Sequence, residues 1–253
     1  MRRFLAALLL SFAAAQVAAA PITITNSYVY TIVYDGVSSS YTDQDFSTAY
    51  GTRTMTSTYG GNSSTTDVNW QDTVSGALFD FDFAQVRTGA VSAYAYTQGY
   101  MAFTVGGNDT IYSLSGLYSM TGSANRTYSN VNLVDRTANT FLFLDSGYSD
   151  NTANESFNLG TAGDGDINNT SWGSLTGALL AGRSYELTFV NYIQALPRTD
   201  GGATATGCLT FSIGGATGGG SCGVAPVPLP AAAWLLLSGL GGLGFIGRRR
   251  KAA

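Results

Sequence analysis

The segment Leu209-Thr210-Phe211-Ser212-Ile213 alternates strictly between apolar and small polar residues. Successive side chains of a β-strand point to opposite faces, so this pattern predicts a strand with one packed face and one hydrated face. The segment Phe79-Asp80-Phe81-Asp82-Phe83 repeats the pattern, and its two aspartates are predicted to lie on the hydrated side. There their charges would discourage edge-to-edge pairing with another sheet.

The same period-two pattern covers most of residues 20–226, with turn residues at intervals of about ten. Further strands are predicted at 22–34, 90–96, 100–105, 110–115, 127–133, 141–144 and 184–193. Helical periodicity is not found in this region. We therefore predict an all-β body, residues 20–213, that forms a single antiparallel β-sandwich of the jelly-roll type. A β-helix and a small barrel are the alternatives.

The charge of the chain excludes several classes of function. All sixteen acidic residues but only six of the twelve basic ones lie in residues 20–226, which gives this region a formal charge of −10. Such a field repels phosphate backbones, so we expect no nucleic-acid partner. The chain has no histidine, which excludes a Ser-His-Asp triad, a Cys-His nucleophile pair and His-ligated zinc.

The first nineteen residues resemble a secretory signal. Met1-Arg2-Arg3 is a charged start, an apolar run follows, and Val17-Ala18-Ala19 supplies the small residues that signal peptidase requires. We therefore predict a signal peptide at 1–19 and a mature chain that begins at Ala20. The alternative is an N-terminal membrane anchor, for which the apolar run is short.

Export also determines what the two cysteines are expected to do. Cys208 and Cys222 are the only cysteines of the chain, and in an oxidising compartment they are predicted to form a disulfide; two free thiols are the alternative. The glycine-rich residues 214–226 are predicted to be a flexible spacer, and the disulfide would fold that spacer back onto the preceding strand.

The composition changes abruptly at Val227-Pro228-Leu229-Pro230-Ala231. An apolar stretch follows and predicts a transmembrane helix at 231–247, which begins next to the prolines because proline is tolerated only at a helix start. The chain then continues with Arg248, Arg249, Arg250 and Lys251. Positive residues favour the cytoplasmic side, so the helix is expected to cross the inner membrane with the body outside.

The proline motif, the weak apolar helix and the basic cluster together resemble the PEP-CTERM class of bacterial sorting signals, in its VPLPA-CTERM variant. The resemblance covers residues 227–253 and does not extend to the body. It implies a Gram-negative exporter of exopolysaccharide and an exosortase that recognises Val227 to Ala231 and cuts in or near them. The alternative is an ordinary membrane tether that is never cut.

One turn has the residues of a calcium ligand set. Asp164, Asp166 and Asn168 place oxygen atoms at alternate positions, as in the first half of a calcium loop. Asn169 stands where an EF-hand has glycine, and Leu175 stands where it has the bidentate glutamate, so an EF-hand is excluded. The remaining interpretations are a looser Ca²⁺ site and a hydrated Asx-rich turn; the second agrees with ordinary turn chemistry.

Taken together, the residues predict an exported cell-envelope or extracellular-matrix protein that is structural or binds a ligand, with polysaccharide as a candidate partner. Fifteen tyrosines, all in the body, could stack on sugars, although tyrosine is also a common strand residue. The alternative is a polysaccharide-active enzyme that uses two carboxylates. No catalytic residues are assigned, because Glu155 and Glu186 are the only glutamates and the fourteen aspartates offer too many pairs.

These signals make a prediction about processing. Intact-mass measurement of the native protein should find a new N-terminus near Ala20 and loss of the helix that follows Ala231. Recovery of the complete tail from washed membranes of an exosortase-containing cell would contradict the sorting prediction.

Overall fold

A computed structural model of the chain describes residues 22–34, 40–73, 76–88, 93–153, 156–160, 168–194, 202–216 and 222. Most of these residues lie in strands, which confirms the all-β prediction for the body. Within these ranges there is no helix long and apolar enough to cross a membrane. The predicted signal peptide 1–19 and the sorting segment 227–253, with its helix at 231–247, lie outside the described residues.

The described residues form thirteen strands. In chain order they are β1 (Ile22–Tyr34), β2 (Ser40–Asp45), β3 (Gly51–Tyr59), β4 (Asn62–Thr73), β5 (Gly76–Arg87), β6 (Tyr94–Val105), β7 (Thr110–Asp135), β8 (Thr140–Ala153), β9 (Ser156–Asn158), β10 (Asn168–Gly173), β11 (Thr176–Leu179), β12 (Ser184–Gln194) and β13 (Ala203–Ile213).

The strands pair into two antiparallel sheets. The order in the first sheet is β2-β1-β6-β12-β7-β8-β10. The order in the second sheet is β3-β4-β5-β13-β7, and β9 and β11 also pair with β7. This antiparallel pairing excludes the β-helix alternative, whose strands run parallel, and two such sheets are consistent with a β-sandwich.

A single long strand, β7, belongs to both sheets. Its first half, from Tyr112 to Gly122, pairs with β13 in the second sheet. Its second half, from Arg126 to Asp135, pairs with β12 in the first sheet. Gly122 lies at the crossing with φ +92°, and a Cβ atom there would approach Gly202 O to 2.3 Å. Strands that switch sheets need a bend of this kind, and glycine alone fits it.

At the opposite edge, the two sheets are joined by hydrogen bonds of the Asp43 and Ser57 side chains. Asp43 of β2 accepts a hydrogen bond from the Thr56 amide at 2.7 Å through Oδ2. Its own amide donates to Ser57 Oγ at 3.0 Å, and Ser57 Oγ donates to Thr31 O at 2.9 Å. These bonds connect β2 of the first sheet to β3 of the second.

The apolar core lies between the sheets, where the alternating residues of both inner faces meet. Its largest fully buried apolar side chains are Trp70, Tyr185, Phe79, Phe81, Phe103, Phe143 and Phe211. Edge-to-face and stacked contacts join several of these rings, such as Trp70 to Phe79 with centroids 5.6 Å apart. Aromatic rings bury the largest areas per residue, so they supply much of the hydrophobic stabilisation.

Part of the interior is polar, and hydroxyl groups connect the two sheets there. Thr97 of the first sheet shares hydrogen bonds of 2.9 Å with both Ser64 and Thr66 of the second sheet. Gln85 Nε2 crosses the same space and donates to Asn191 O at 3.2 Å. These polar side chains can be buried because they form hydrogen bonds across the space between the two sheets.

The predicted strands compare with the observed ones in three ways. The prediction at 22–34 coincides with β1, and 184–193 matches β12 within one residue. The predictions at 100–105 and at 110–115 and 127–133 are parts of the longer strands β6 and β7. The sequence pattern does not predict β2, β3, β4, β9, β10 or β11, because serine, threonine and asparagine occupy many of their positions.

The hydrated aspartate face predicted for β5 is wrong at Asp80, which is only 4 % exposed. Asp80 lies on the outward side of the second sheet, beside Thr210, whose Oγ1 donates to Asp80 Oδ1 at 2.6 Å. Burial raises the pKa of Asp80; the bond from Thr210 opposes this shift and the charge of Asp82 adds to it. The aspartate therefore belongs to a covered, hydrogen-bonded part of the sheet.

Residues that follow β13 contact this same outward side of the second sheet. Gly214 and Gly215 reverse the chain direction with φ of +74° and +77°. Ser212 Oγ then donates to Ala216 O, and Ala216 is fully buried. The structure joins Cys208 to Cys222 in a disulfide, the pairing that the sequence predicts. The hydrogen bond from Ser212 and the disulfide of Cys208 thus attach Ala216 and Cys222 to the outward side of β13.

The disulfide is expected to stabilise the body by restricting the unfolded chain. Replacing both Cys208 and Cys222 by serine should lower the free energy of unfolding by about 3 kcal/mol, the typical value for a loop near fifteen residues. Urea unfolding of the secreted protein measures this loss, and the wild type reduced with dithiothreitol should behave like the variant. Equal stability of the oxidised and reduced wild type, or free thiols in secreted material, would contradict the prediction.

Candidate functional site

Among the side chains that the structure describes, eight of the chain's fifteen tyrosines lie on the outward side of the first sheet. On β1, β6 and β12, every second residue is buried between the sheets, and the alternate residues are half-buried on the outward side. We call the surface formed by these outward tyrosines the tyrosine face. Its members are Tyr28, Tyr30, Tyr34, Tyr94, Tyr96, Tyr100, Tyr128 and Tyr192.

Strand register aligns the tyrosines in rows that run across the sheet. Tyr96, Tyr192 and Tyr128 are direct neighbours on β6, β12 and β7. On β1 and β6, Tyr28 is opposite Tyr100 and Tyr34 is opposite Tyr94. Because opposed residues of antiparallel strands have Cβ atoms about 4.5–5.5 Å apart, side chains in one row contact each other.

Seven of the eight rings form one continuous series of contacts. Tyr28 stacks on Tyr100 with ring centroids 4.9 Å apart and planes inclined by 9°. The remaining contacts, which link Tyr28 through Tyr30, Tyr96, Tyr192 and Tyr94 to Tyr34, have centroid distances of 5.3–6.0 Å. Each such pair contributes about 0.5–1.5 kcal/mol beyond its buried area. The rings therefore hold each other in place.

Gln98 orders three of the tyrosine hydroxyls at the centre of the face. Tyr30 Oη donates to Gln98 Oε1 at 2.7 Å, and the Tyr96 hydroxyl donates to the same oxygen. Gln98 Nε2 in turn donates to Tyr28 Oη at 2.9 Å. The amide thus fixes the direction of these phenol groups.

A shallow depression of about 380 Å³ lies at the edge of the tyrosine face, between β1 and β2. It is lined by Tyr28, Tyr30, Ile32, Thr42, Gln44 and Phe46. Phe46 follows β2 directly and has an exposed fraction of 63 %, which is the highest among the large hydrophobic residues that the structure describes. The depression therefore combines an accessible aromatic ring with amide and hydroxyl groups.

An ion pair marks another edge of the face. Glu186 of β12 lies next to Ala102 in the strand register and forms an ion pair with Arg136. Burial, followed by a hydrogen bond to Glu186, raises the pKa of Tyr100 to about 12. The hydrogen bond between Arg136 and Glu186, together with the negative charge of Glu186, raises the pKa of Arg136. This charged pair is thus internally neutralised.

Several phenols of the face are held in their neutral form. Burial is the first cause that raises the pKa of Tyr28, Tyr94 and Tyr96, and neighbouring phenols raise it further. A phenol is normally half ionised near pH 10. These groups therefore stay uncharged at neutral and mildly alkaline pH.

The remaining residues singled out by the sequence are only partly described. Asn168 begins β10, where its backbone pairs with that of Tyr148. Asp164 and Asp166 lie outside the described residues, as do Val227, Pro228, Leu229, Pro230, Ala231 and the basic cluster Arg248, Arg249, Arg250 and Lys251. In the part of the chain that the structure describes, no three metal-ligating side chains come together.

Sequence reasoning identified the tyrosines as a group but did not locate the face. The pairs Tyr28 and Tyr30, and Tyr94 and Tyr96, have the i, i+2 spacing that places two side chains on one side of a strand. That spacing was the available signal. The alignment of Tyr96 with Tyr192 and Tyr128 depends on register between strands distant in the sequence, so no local pattern indicates it.

Comparison with known proteins gives no family for this chain. No protein-family profile matches it, and no curated protein matches it. Among solved structures, a structure of infectious bursal disease virus Gx strain is 13 % identical, with a TM-score of 0.21 over 78 % of this chain and 55 % of that chain. A structure of the Gt strain is 12 % identical, with a TM-score of 0.14 over 78 % of this chain and 67 % of that chain. The chain thus spans little more than half of the first of these structures.

The raised phenol pKa values predict a late phase in alkaline titration. A raised pKa means that the folded chain binds the phenol proton more tightly than the unfolded chain, so this contribution to stability is complete below pH 10 and is lost as pH rises. Absorbance at 295 nm should show some tyrosines ionising only above about pH 11, together with loss of the β-sheet circular dichroism signal.

The control is the same titration in urea, where all tyrosines should ionise near the ordinary value of about 10. A single ionisation step at that value in the folded protein would contradict the prediction.

Proposed function

We propose that this chain is an exported surface protein whose tyrosine face binds a polysaccharide. The observation that carries the proposal is the gathering of eight tyrosines in rows on one outward sheet face. The proposal adds a location to the ligand-binding function expected from the sequence. The binding part of the proposal does not depend on whether the C-terminal tail is cut.

The chemistry of the face suits a sugar chain. A pyranose ring has apolar C–H faces and a rim of hydroxyl groups, and tyrosine combines an apolar ring with a polar tip. Tyrosine also supplies a large contact area at a small cost in conformational entropy, because it has only two side-chain torsions. The contacts between rings and the bonds to Gln98 reduce that cost further.

The shape of the face favours a chain over a small molecule. The row Tyr96, Tyr192 and Tyr128 crosses three adjacent strands. With strands spaced by about 4.8 Å, it offers a strip of rings about 10 Å long from the first strand to the last. Several sugar units can lie along such a strip, each with a weak contact, and their contributions accumulate.

Export and sorting complete the proposed function. The body would form a jelly-roll-like β-sandwich, delivered by the signal peptide 1–19 and held at the inner membrane by the helix 231–247. Signal peptidase and an exosortase would be its processing partners, and the cell envelope or extracellular matrix its destination. A body with formal charge −10 is repelled by anionic lipid surfaces, which agrees with release from the membrane.

The enzyme and the uncut tether remain as alternatives. A glycosidase of the retaining type requires two carboxyl groups about 5 Å apart on either side of the substrate. Asp67 and Asp82 are direct cross-strand partners on the outward side of the second sheet. Asp67 is exposed there and accepts a hydrogen bond from Thr54 Oγ1 at 2.5 Å. This pair lies on the second sheet, away from the tyrosine rows of the first sheet, so the carboxylates and the stacking rings do not form one site, and binding is the better supported function.

The proposal predicts that loss of a central ring weakens polysaccharide binding. Tyr192→Ala removes the middle of the row and should lower affinity for a bound polysaccharide about tenfold, the effect of losing roughly 1.4 kcal/mol. Migration in native gels that contain neutral or anionic polysaccharides measures affinity. Tyr192→Phe retains the ring and should retain most of the binding.

Tyr59→Ala is the matched control, because Tyr59 is an exposed tyrosine at the end of β3 in the second sheet. Circular dichroism and thermal melts establish that the variants fold. Unretarded migration of the folded wild type in every gel, or equal retardation of the Tyr192→Ala variant, would contradict the proposed function.

A further inference from the structure

We infer that the depression between β1 and β2 is a subsite for one uncharged sugar ring, stacked on Phe46, and that the tyrosine face selects neutral over anionic glycans. This inference rests on the proposed function and specifies its ligand class. Three features of the described residues support it: the lining of the depression, the state of the arginines and the state of the phenols.

The lining of the depression contains no charged group. Phe46 and Tyr28 supply rings, Ile32 supplies an aliphatic wall, and Gln44 supplies an amide. Its volume of about 380 Å³ lies within the range of about 300–1,000 Å³ that is usual for small-molecule sites. An apolar wall with a few polar groups at the rim matches a ring that carries hydroxyl groups and no charge.

Phe46 presents an accessible apolar ring at the depression. A phenylalanine with an exposed fraction of 63 % leaves a large apolar surface in water. Tyr28 and Tyr30, which line the same depression, are themselves in ring contact with centroids 5.9 Å apart. An occupant that covers Phe46 therefore continues the aromatic surface and recovers hydrophobic stabilisation.

Among the arginine side chains that the structure describes, an anionic ligand would have to compete with a carboxylate for each exposed guanidinium. Arg136 pairs with Glu186, and Arg183 pairs with Asp135 at 2.8 Å. Arg53 pairs with Asp45 at 3.5 Å and lies over the Trp70 ring, and Arg87 is buried. Residues 20–226 contain no lysine and have a formal charge of −10, so the field of the body also repels anions.

The phenols of the face add no charge of their own. Burial raises the pKa of Tyr28 and Tyr100, so both remain neutral donors over the physiological pH range. Binding that depends on stacking and on neutral hydrogen bonds is insensitive to salt, whereas binding between charged partners is screened. Ligand charge and salt dependence therefore provide a direct test.

The test uses hexasaccharides of equal length on the processed protein. Laminarihexaose, cellohexaose and mannohexaose are the neutral probes, and hexagalacturonic acid is the anionic probe. By isothermal titration calorimetry, at least one neutral probe should bind, with an affinity that changes less than about twofold between 50 and 500 mM NaCl. The anionic probe should bind at least about tenfold more weakly at 50 mM NaCl.

Variants at the depression locate the subsite. Phe46→Ala should weaken binding of the neutral probe about tenfold, and Phe46→Trp should retain it, because the indole ring also stacks. Tyr41→Ala is the matched control: Tyr41 lies on β2, is 51 % exposed, and pairs with the inward-facing Val33. Its loss should leave affinity unchanged. Circular dichroism should show all three variants folded, since both positions lie outside the core.

The outcomes separate this inference from the proposed function. Full affinity of Phe46→Ala would overturn the subsite while polysaccharide binding stands. Equal affinity for hexagalacturonic acid would overturn the selection for neutral glycans. Failure of every hexasaccharide to bind, while a polysaccharide gel still retards the wild type, would overturn the single-ring subsite alone, and failure of both would overturn the two proposals together.

Discussion

The two sheets depend on β7, the one strand that both of them share. A strand that is paired on both of its edges in each sheet fixes the register of β13 and of β12 at the same time, because a shift of one residue would turn every side chain to the opposite face. The bend at Gly122 allows β7 to pair with strands of both sheets. At the edge of the sheets away from β7, the hydrogen bonds of Asp43 link β2 of the first sheet to β3 of the second.

The tyrosine face follows from this fixed register. Once Phe189 and Leu187 of β12 are buried, Tyr192 and the other alternate residues of that strand must face outward. The same condition on β6 buries Met101 and Phe103 and turns Tyr96 and Tyr100 outward. The packing of the core therefore determines which tyrosines meet, and Gln98 and the ring contacts then order them. The surface is pre-organised by the same alternation that stabilises the fold.

The sequence predicts the strands that show local alternation of apolar and polar residues. It does not predict the features that depend on contacts between strands distant in the sequence. β1 is identified at both ends because its β-branched and aromatic residues lie between Pro21 and Asp35-Gly36, residues that are typical of strand boundaries. β4 is missed because Ser64 and Thr66 are buried through hydrogen bonds to Thr97 of the other sheet, which no local pattern shows. The exposure of Asp80 is predicted wrongly for the same reason, since its burial and its hydrogen bond from Thr210 depend on the neighbouring strand β13.

The two outward faces of the body differ in how much of their surface is covered, and the proposed binding site follows from this difference. On the second sheet, Asp80, Thr210 and Ser212 are almost completely buried, and the disulfide holds the returning chain against β13. On the first sheet, the tyrosines are half-buried and Phe46 is largely exposed. The buried polar groups of the second sheet find partners within the chain, whereas the aromatic rings of the first sheet are partly exposed among the residues that the structure describes. A ligand with apolar ring faces and hydroxyl edges would cover such rings, which is why the proposal assigns binding to the first sheet.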